Sequence, residues 1–139
     1  MQRKNFKSYA AELLAQDYNC GETVFRVLLK ELGIKESKEL LKASSFMNGG
    51  GRAGAQCGIL DAGLMVLSLM YGRDTYKKSR EPLQGLAYKL TKEFEKKYKS
   101  FLCRDIRPEG FSHIQPEDIC NKRIIEGIEF LLDFFKKID

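Results

Sequence analysis

The apolar segment from Gly58 to Tyr71 constrains the fold of this chain more than any other stretch. Its sequence is GILDAGLMVLSLMY, and apolar side chains surround its axis almost completely when it is wound as a helix. The segment contains Asp61 and Ser68, and it is shorter than the roughly 20 apolar residues that cross a bilayer. It therefore predicts a buried central helix that ends at Gly72, with the other elements packed around it.

The remaining regular segments also show helical spacing of apolar residues, and no alternating strand pattern appears. Asn19 and Glu22 have the spacing of a capping box at the start of a helix, and Gly33 is placed to end that helix. Asp74 or Thr75 is the candidate N-cap of a later helix. The predicted helices cover residues 3–16, 20–32, 36–47, 58–71 and 76–100, and a last one opens at Pro116.

Length and composition indicate one folded domain. The chain has 139 residues, of which 43% are apolar, and its charged residues are of mixed sign. These values are typical of a globular domain with a modest core. We predict an all-α fold, a single-domain antiparallel helical bundle of about five to six helices that spans residues 1–139.

The charge pattern gives no sign of a nucleic-acid or membrane partner. The net charge of +5 comes mainly from scattered lysines, without an arginine cluster or an aromatic–basic motif. The N-terminal segment is basic but lacks the apolar region of a signal peptide. We expect a cytoplasmic protein that neither binds nucleic acid nor inserts into a membrane.

Four cysteines are the side chains most suited to chemistry, and the sequence contains no CxxC pair. Zinc-ribbon, thioredoxin and ferredoxin spacings are therefore absent. Short connections make consecutive helices antiparallel, and tracing the chain through the predicted bundle brings all four thiols to one end. A shared site is the leading interpretation, and buried inert thiols are the alternative. The cysteines are Cys20, Cys57, Cys103 and Cys120.

A glycine-rich loop precedes Cys57. Residues 49–54 satisfy the G-x-G-x-x-G pattern, but a dinucleotide-binding loop follows a strand, and the segment before this loop has helical spacing. We interpret the loop as a backbone that passes close to Cys57 and aims N–H groups at its sulfur. The candidate cofactor-binding residues are Gly50, Gly51, Arg52, Gly54 and Gly58.

The position of the thiols favours their charged form. Cys20, Cys57 and Cys120 fall near predicted helix N-termini, where the helix dipole and free N–H groups stabilise a thiolate. Arg52 and Arg104 add positive charge to the same end of the bundle. Because thiolates bind soft metals, all four cysteines are candidate metal ligands.

The segments around the four cysteines resemble those of the redox-active protein family that is named for its C…GCAxxG…C…C cysteine pattern. NCGETVFRVLLKELGI matches the first cysteine and its helix, GGGRAGAQCGILDAGLMVLSLMYG resembles the central motif, and FLCRD and DIC supply the last two cysteines. Gln56 and Gly58 stand where that motif has Gly and Ala, and its last Gly has no counterpart, since Asp61 and Ala62 stand where it would fall. The resemblance covers nearly the whole chain and implies that its four cysteines are the signature residues of a redox domain.

The leading functional hypothesis is an iron–sulfur cluster, most simply 2Fe–2S, held by the four cysteines for electron transfer or redox sensing. Its electron-transfer partner is not identified by the sequence, and zinc in a four-thiolate site is the alternative metal. A thiol–disulfide oxidoreductase without metal and a non-enzymatic interaction module also stay open. A homodimer is also possible on the sequence alone. His113 has either a surface role or a ligating role, and Asp61 is a partner of the helix dipole, a solvent-facing residue or a proton-transfer group.

Overall fold

The computed structural model describes residues 6–106 and 121–138, which form helices joined by loops. Within these residues there is no strand, and the pairing of Gln56 with Leu102 is an isolated antiparallel bridge. The predicted all-α fold is confirmed. In chain order the elements are α1 (Phe6–Ala15), α2 (Cys20–Glu31), α3 (Lys38–Ala43), a 3-10 helix (Ser44–Phe46), α4 (Gly49–Arg52), α5 (Gly58–Tyr71), α6 (Leu83–Tyr98), α7 (Cys103–Ile106) and α8 (Asn121–Ile138).

Helix α5 lies at the centre of the core. It packs against α2, α6 and α8, and α1 covers α2 from the outside. Leu60, Val66 and Leu67 of α5 are completely buried, as expected for a helix that is apolar on most faces. The predicted bounds of this helix and its end at Gly72 are confirmed.

Helix α2 begins at Cys20 because two side chains satisfy the backbone groups at its start. The Asn19 side chain accepts a hydrogen bond of 2.8 Å from the backbone N–H of Glu22. The Glu22 carboxylate in turn accepts one of 3.1 Å from the backbone N–H of Asn19. This reciprocal pair is the predicted capping box. Gly33 follows the end of the helix with a φ of +69°, also as predicted.

The segment predicted as one helix over 36–47 is divided in the structure. Helix α3 starts at Lys38 with Ser37 as its N-cap, and a 3-10 helix continues the chain from Ser44 to Phe46. The serine hydroxyls at the junction compete for backbone groups, since Ser44 and Ser45 each donate to a carbonyl three residues earlier. This local bonding ends the regular helix early.

Element α4 is a single turn with left-handed backbone geometry. Its four residues have φ values of 62°, 58°, 78° and 68°, and the first three are glycines. Backbone bonds from Arg52 to Asn48 and from Ala53 to Gly49 close the turn. Successive left-handed residues are unfavourable for side chains with a Cβ, so the run of glycines is what permits this turn.

The predicted helix over 76–100 begins too early. Helix α6 starts at Leu83, directly after Pro82, and residues 72–82 form a loop. Proline has no backbone N–H and disfavours helical geometry in the residue before it, so a helix cannot run through this position. The apolar stripe is real, because Leu90 and Phe94 are completely buried. The helix ends at Tyr98, where Lys99 turns into the left-handed region.

The two ends of the chain are only partly described. The first helix, predicted over 3–16, is observed from Phe6 to Ala15. The predicted opening of the last helix at Pro116 lies outside the described residues, and α8 is described from Asn121 to Ile138. Within the described ranges, none of the helices combines the length and the apolar character needed to cross a membrane.

Candidate functional site

Three of the four predicted thiols lie around one small cavity. Cys20, Cys57 and Cys103 are 6%, 6% and 5% exposed, and all three line a largely closed space of about 20 Å³. The cavity is otherwise mostly apolar, with Ile59, Phe94, Tyr98, Ile106 and Arg123 completing its described wall. The predicted convergence is therefore confirmed for these three cysteines, while Cys120 lies outside the described residues.

Cys20 is the first residue of α2, and the capping box fixes its position. Its sulfur lies 3.7 Å from the carbonyl oxygen of Met47 and 3.8 Å from the side-chain oxygen of Asn48. Both atoms are hydrogen-bond acceptors, so the thiol donates to them in its protonated form. Met47 and Asn48 thus help to hold the sulfur at the cavity wall.

Cys57 and Cys103 are brought together by a short stretch of paired backbone. The N–H of Cys57 donates to the carbonyl of Phe101 at 2.9 Å, and the N–H of Cys103 donates to that of Ala55 at 2.6 Å. These bonds flank the bridged residues Gln56 and Leu102. Because side chains alternate along paired backbone, both cysteines point to the face opposite Gln56 and Leu102. That face is the cavity.

Gly58 lets the start of α5 approach Cys20 closely. A Cβ at this position would lie 2.9 Å from the Cys20 sulfur and would also overlap the carbonyl oxygen of Met47. Gly21 makes the matching approach from α2, and its N–H donates to the same Met47 carbonyl at 3.0 Å. The two helix starts therefore meet around Met47 with no room for side chains between them.

The other predicted cofactor-binding residues lie around the loop and are not among the described residues of the cavity wall. Gly50 packs against Ala55, and Gly54 lies against Arg104, whose guanidinium donates to the Gly54 carbonyl at 3.3 Å. Gly51 and Arg52 line a separate open groove of about 420 Å³. Cofactor binding by these loop residues stays a prediction.

Two polar residues of the cavity wall were not anticipated from the sequence. Tyr98 ends α6, and burial raises the pKa of its hydroxyl to about 12, with Glu126 and Cys57 adding to the rise and Arg123 opposing it. The hydroxyl is therefore neutral, and a hydrogen-bond donor, at physiological pH. Tyr98 continues the four-residue spacing of Leu90 and Phe94, and this spacing was the available signal for it. No pattern in the sequence singled out Arg123.

Asp61 lies one turn into α5 and is not among the described residues that line the cavity. Its carboxylate accepts a hydrogen bond from the side-chain amide of Gln56. Burial raises the pKa of Asp61 above its ordinary value of 3.8, and the bond from Gln56 opposes part of that rise. His113, the other residue whose role the sequence left open, lies outside the described residues.

The donor set around the cavity suits a soft metal. Thiolates select zinc and iron–sulfur clusters, and the apolar wall excludes water from the sulfurs. In the described part of the chain, however, no three Cys, His, Asp or Glu side chains are arranged closely enough to hold a metal ion. The space of about 20 Å³ fits one water-sized centre, so a larger group requires the sulfurs to move apart.

The fold and the site together define a class of protein: an all-α domain whose thiols gather at a largely closed cavity. Comparison with known families gives a more specific result, because residues 18–134 match the family described as "Putative redox-active protein (C_GCAxxG_C_C)". The match spans most of the chain, and the chain belongs to this family. No curated protein and no solved structure matches it.

Proposed function

We propose that this redox-active protein holds an iron–sulfur centre through Cys20, Cys57, Cys103 and Cys120 and uses it for electron transfer or redox sensing. The observation that carries the proposal is the convergence of three buried thiols, from three separate elements, on one closed cavity. A shared cavity favours a common ligand for the three thiols over separate inert positions in the core. When bound, the centre supplies a reversible one-electron couple.

The chain's own residues have distinct tasks in this proposal. Cys20 and Cys57 stand at the starts of the long helices α2 and α5, whose N-terminal dipoles favour negative charge on sulfur. Ile59, Phe94 and Ile106 keep water from the sulfurs. Arg123 brings a positive charge to the same wall, which opposes the negative charge of several thiolates.

The test is the metal content of protein produced and purified without oxygen. A 2Fe–2S centre requires about two irons and two acid-labile sulfides per chain and visible absorption bands that bleach on reduction. About one zinc without iron would replace this proposal with a structural four-thiolate site. Protein that contains neither iron nor zinc would contradict both an iron–sulfur centre and a zinc site at these cysteines.

Serine variants link that content to the cavity. We expect Cys57→Ser and Cys103→Ser to lose most of the iron and sulfide, because a serine hydroxyl is a poor ligand for iron–sulfur centres. Ala10→Ser is the matched control, since it also places a hydroxyl at a completely buried position, but in α1. Equal loss in the control would mean that loading reports general destabilisation instead of ligation.

A second candidate function, thiol–disulfide exchange, is favoured by the placement of Cys57 and Cys103 on the same face of the bridged backbone. In that reaction one thiolate attacks an oxidised partner disulfide and the other resolves the mixed disulfide, so the partner gains two electrons and the cysteines lose them. A mass decrease of two hydrogens upon incubation of metal-free protein with oxidised glutathione, lost in Cys57→Ser, would support it. A mass unchanged except by glutathione adducts would count against it.

A further inference from the structure

The Tyr98 hydroxyl is a buried polar group without a use in the fold. Its oxygen is shielded from solvent, and no hydrogen-bond partner for it exists among residues 6–106 and 121–138. Leaving a buried hydroxyl unpaired costs about 1–3 kcal/mol, so such a group in a native protein calls for an explanation. Tyr98 lies on the wall of the cysteine cavity, beside Cys20, Cys57 and Cys103.

The ring of Tyr98 is held in place by its neighbours. Its centroid lies 4.6 Å from that of Phe94, and Phe94 in turn meets Phe130 edge-on at 6.0 Å. The Lys97 ammonium covers the ring at 5.4 Å from its centroid. A ring packed in this way cannot swing its hydroxyl freely to a remote partner, and the cavity is the space beside it.

Among the described residues that line this space with Tyr98, the side chains able to accept a hydrogen bond are those of Cys20, Cys57 and Cys103. A neutral thiol is a weak acceptor, which fits the absence of a hydrogen bond from Tyr98 while Cys20 is itself a donor. A thiolate or inorganic sulfide carries negative charge and accepts hydrogen bonds more strongly. A charged sulfur site therefore offers the Tyr98 hydroxyl an acceptor that the neutral thiols in the described part of the chain do not provide.

We propose that Tyr98 is a positioning residue that donates a hydrogen bond to a negatively charged sulfur in this cavity and thereby raises the reduction potential of the centre. The inference rests on the proposed function, since reduction adds negative charge to the sulfurs and a donor stabilises the reduced form more than the oxidised form. The direction of the effect follows: removal of the hydroxyl makes reduction less favourable.

The experiment compares Tyr98→Phe with Tyr88→Phe in protein loaded with iron and sulfide. Both variants remove a hydroxyl from α6, but Tyr88 is 68% exposed and lies outside the cavity wall. We expect Tyr98→Phe to lower the equilibrium constant of one-electron reduction about tenfold, a fall of about 59 mV in potential, while Tyr88→Phe matches the wild type. A potential for Tyr98→Phe equal to that of Tyr88→Phe would overturn the inference and leave the proposed function intact.

A second measurement on reduced, metal-free protein covers the case in which a loaded variant cannot be made. The rate of Cys57 alkylation by iodoacetamide at one fixed pH reports how well the site stabilises the attacking thiolate. Loss of the donor should slow labelling in Tyr98→Phe about threefold relative to Tyr88→Phe, since a roughly tenfold smaller thiolate fraction is partly offset by the higher nucleophilicity of a more basic thiolate, whereas looser packing alone would speed it. An equal or faster rate would overturn the inference.

The two measurements also separate the inference from the proposed function. A wild-type chain that takes up neither iron nor sulfide would end the proposed function, and the alkylation rates alone would then decide the role of Tyr98. Thermal unfolding of both variants serves as the folding control. Tyr98→Phe removes a hydroxyl without a described partner, so its metal-free form should unfold at a temperature no lower than that of the wild type.

Discussion

At the scale of single residues, Gly58 is the position where one added methyl group would do most harm to the cysteine cavity. A Cβ there meets the Cys20 sulfur and the Met47 carbonyl, and the carbonyl belongs to backbone that cannot shift cheaply. We expect Gly58→Ala to lower the free energy of unfolding by about 1–3 kcal/mol and to displace Cys20. Urea unfolding measures the first effect, and iron loading measures the second.

Gly85→Ala is the control for this substitution. Gly85 also lies near the start of a helix, but a Cβ there would meet only the flexible end of the Glu81 side chain at 3.1 Å. Alanine is the better helix former by about 1 kcal/mol, so this variant should be neutral or more stable. Similar losses in both variants would show that the close approach at Gly58 is not the cause.

Asp61 gives the protein a pH dependence of known sign. Burial raises the pKa of Asp61 in the folded state, so folding disfavours its carboxylate form. Asp61 therefore lowers the free energy of unfolding as pH rises above its unfolded-state pKa of about 3.8 and through its folded-state pKa. Asp61→Asn removes the charge and keeps an oxygen to accept from Gln56. We expect it to raise the free energy of unfolding at pH 7 by less than about 1 kcal/mol, since solvent screens a half-buried group.

The measurement is urea unfolding of metal-free protein across a pH series. The increase in the free energy of unfolding caused by Asp61→Asn should be present at neutral pH. It should shrink to a small difference that no longer varies with pH below about 3.8, where the wild-type carboxyl is also neutral. Asp74→Asn is the control, because that side chain is 81% exposed and pairs with Lys78 at the surface. A gain from Asp61→Asn that does not vary with pH would contradict this account.

Only some residues of the site were predictable from the sequence, and there is a physical reason why the others were not. Cysteine is scarce and chemically distinct, so its order along antiparallel helices was enough to bring Cys20, Cys57 and Cys103 together. Tyr98 and Arg123 are ordinary residues whose importance depends on the cavity that they line. That cavity arises from packing between α2, α5, α6, α7 and α8, which the periodicity of a sequence does not specify.

At the scale of elements, the capping box of α2 links helix stability to the site. Asn19 accepts from the N–H of Glu22 and its side-chain amide donates to Ser45 at 3.0 Å, so it ties the start of α2 to the segment before the loop. We expect Asn19→Ala to cost about 0.5–2 kcal/mol of unfolding free energy. Because Cys20 is the next residue, iron loading should fall as well.

Ser37→Ala removes a comparable cap from a helix away from the cavity. The Ser37 hydroxyl accepts from the N–H of Leu40 at the start of α3. This variant should lose stability in the same range but keep the loading of the wild type. Urea unfolding and iron content, measured for both variants, distinguish loss of a helix cap from damage to the cysteine site. Iron loading that falls equally in both variants would show that the Asn19 cap has no specific effect on the site.

The success of the element predictions followed the strength of local signals. Helix α5 was predicted at its observed bounds because its apolar run is continuous and Gly72 ends it. Helix α6 was predicted too long because its apolar spacing was extended upstream past Pro82, where backbone chemistry forbids a helix. The left-handed turn of α4 could not be read from its glycines, since glycine permits that geometry without requiring it.

At the scale of the whole molecule, the cavity connects the short helix α7 to the longer helices of the core. The residues around α7 are held to the start of α5 by backbone bonds from Cys57 to Phe101, from Cys103 to Ala55 and from Arg104 to Gly54. A group bound to Cys20, Cys57 and Cys103 would add a covalent tie among α2, α5 and α7. Such a tie stabilises the folded state because the unfolded chain has no formed site.

We therefore expect loading to strengthen one end of the molecule selectively. Amide hydrogen exchange at Cys103 and Arg104 should slow on loading, by about a hundredfold if the free energy of local opening rises by about 2.7 kcal/mol. The amide of Gly72, which donates to Ser68 at the opposite end of α5, is the internal control and should change little. Equal slowing at both ends would mean that loading stabilises the fold globally, and no slowing at Cys103 would mean that its sulfur is not a ligand.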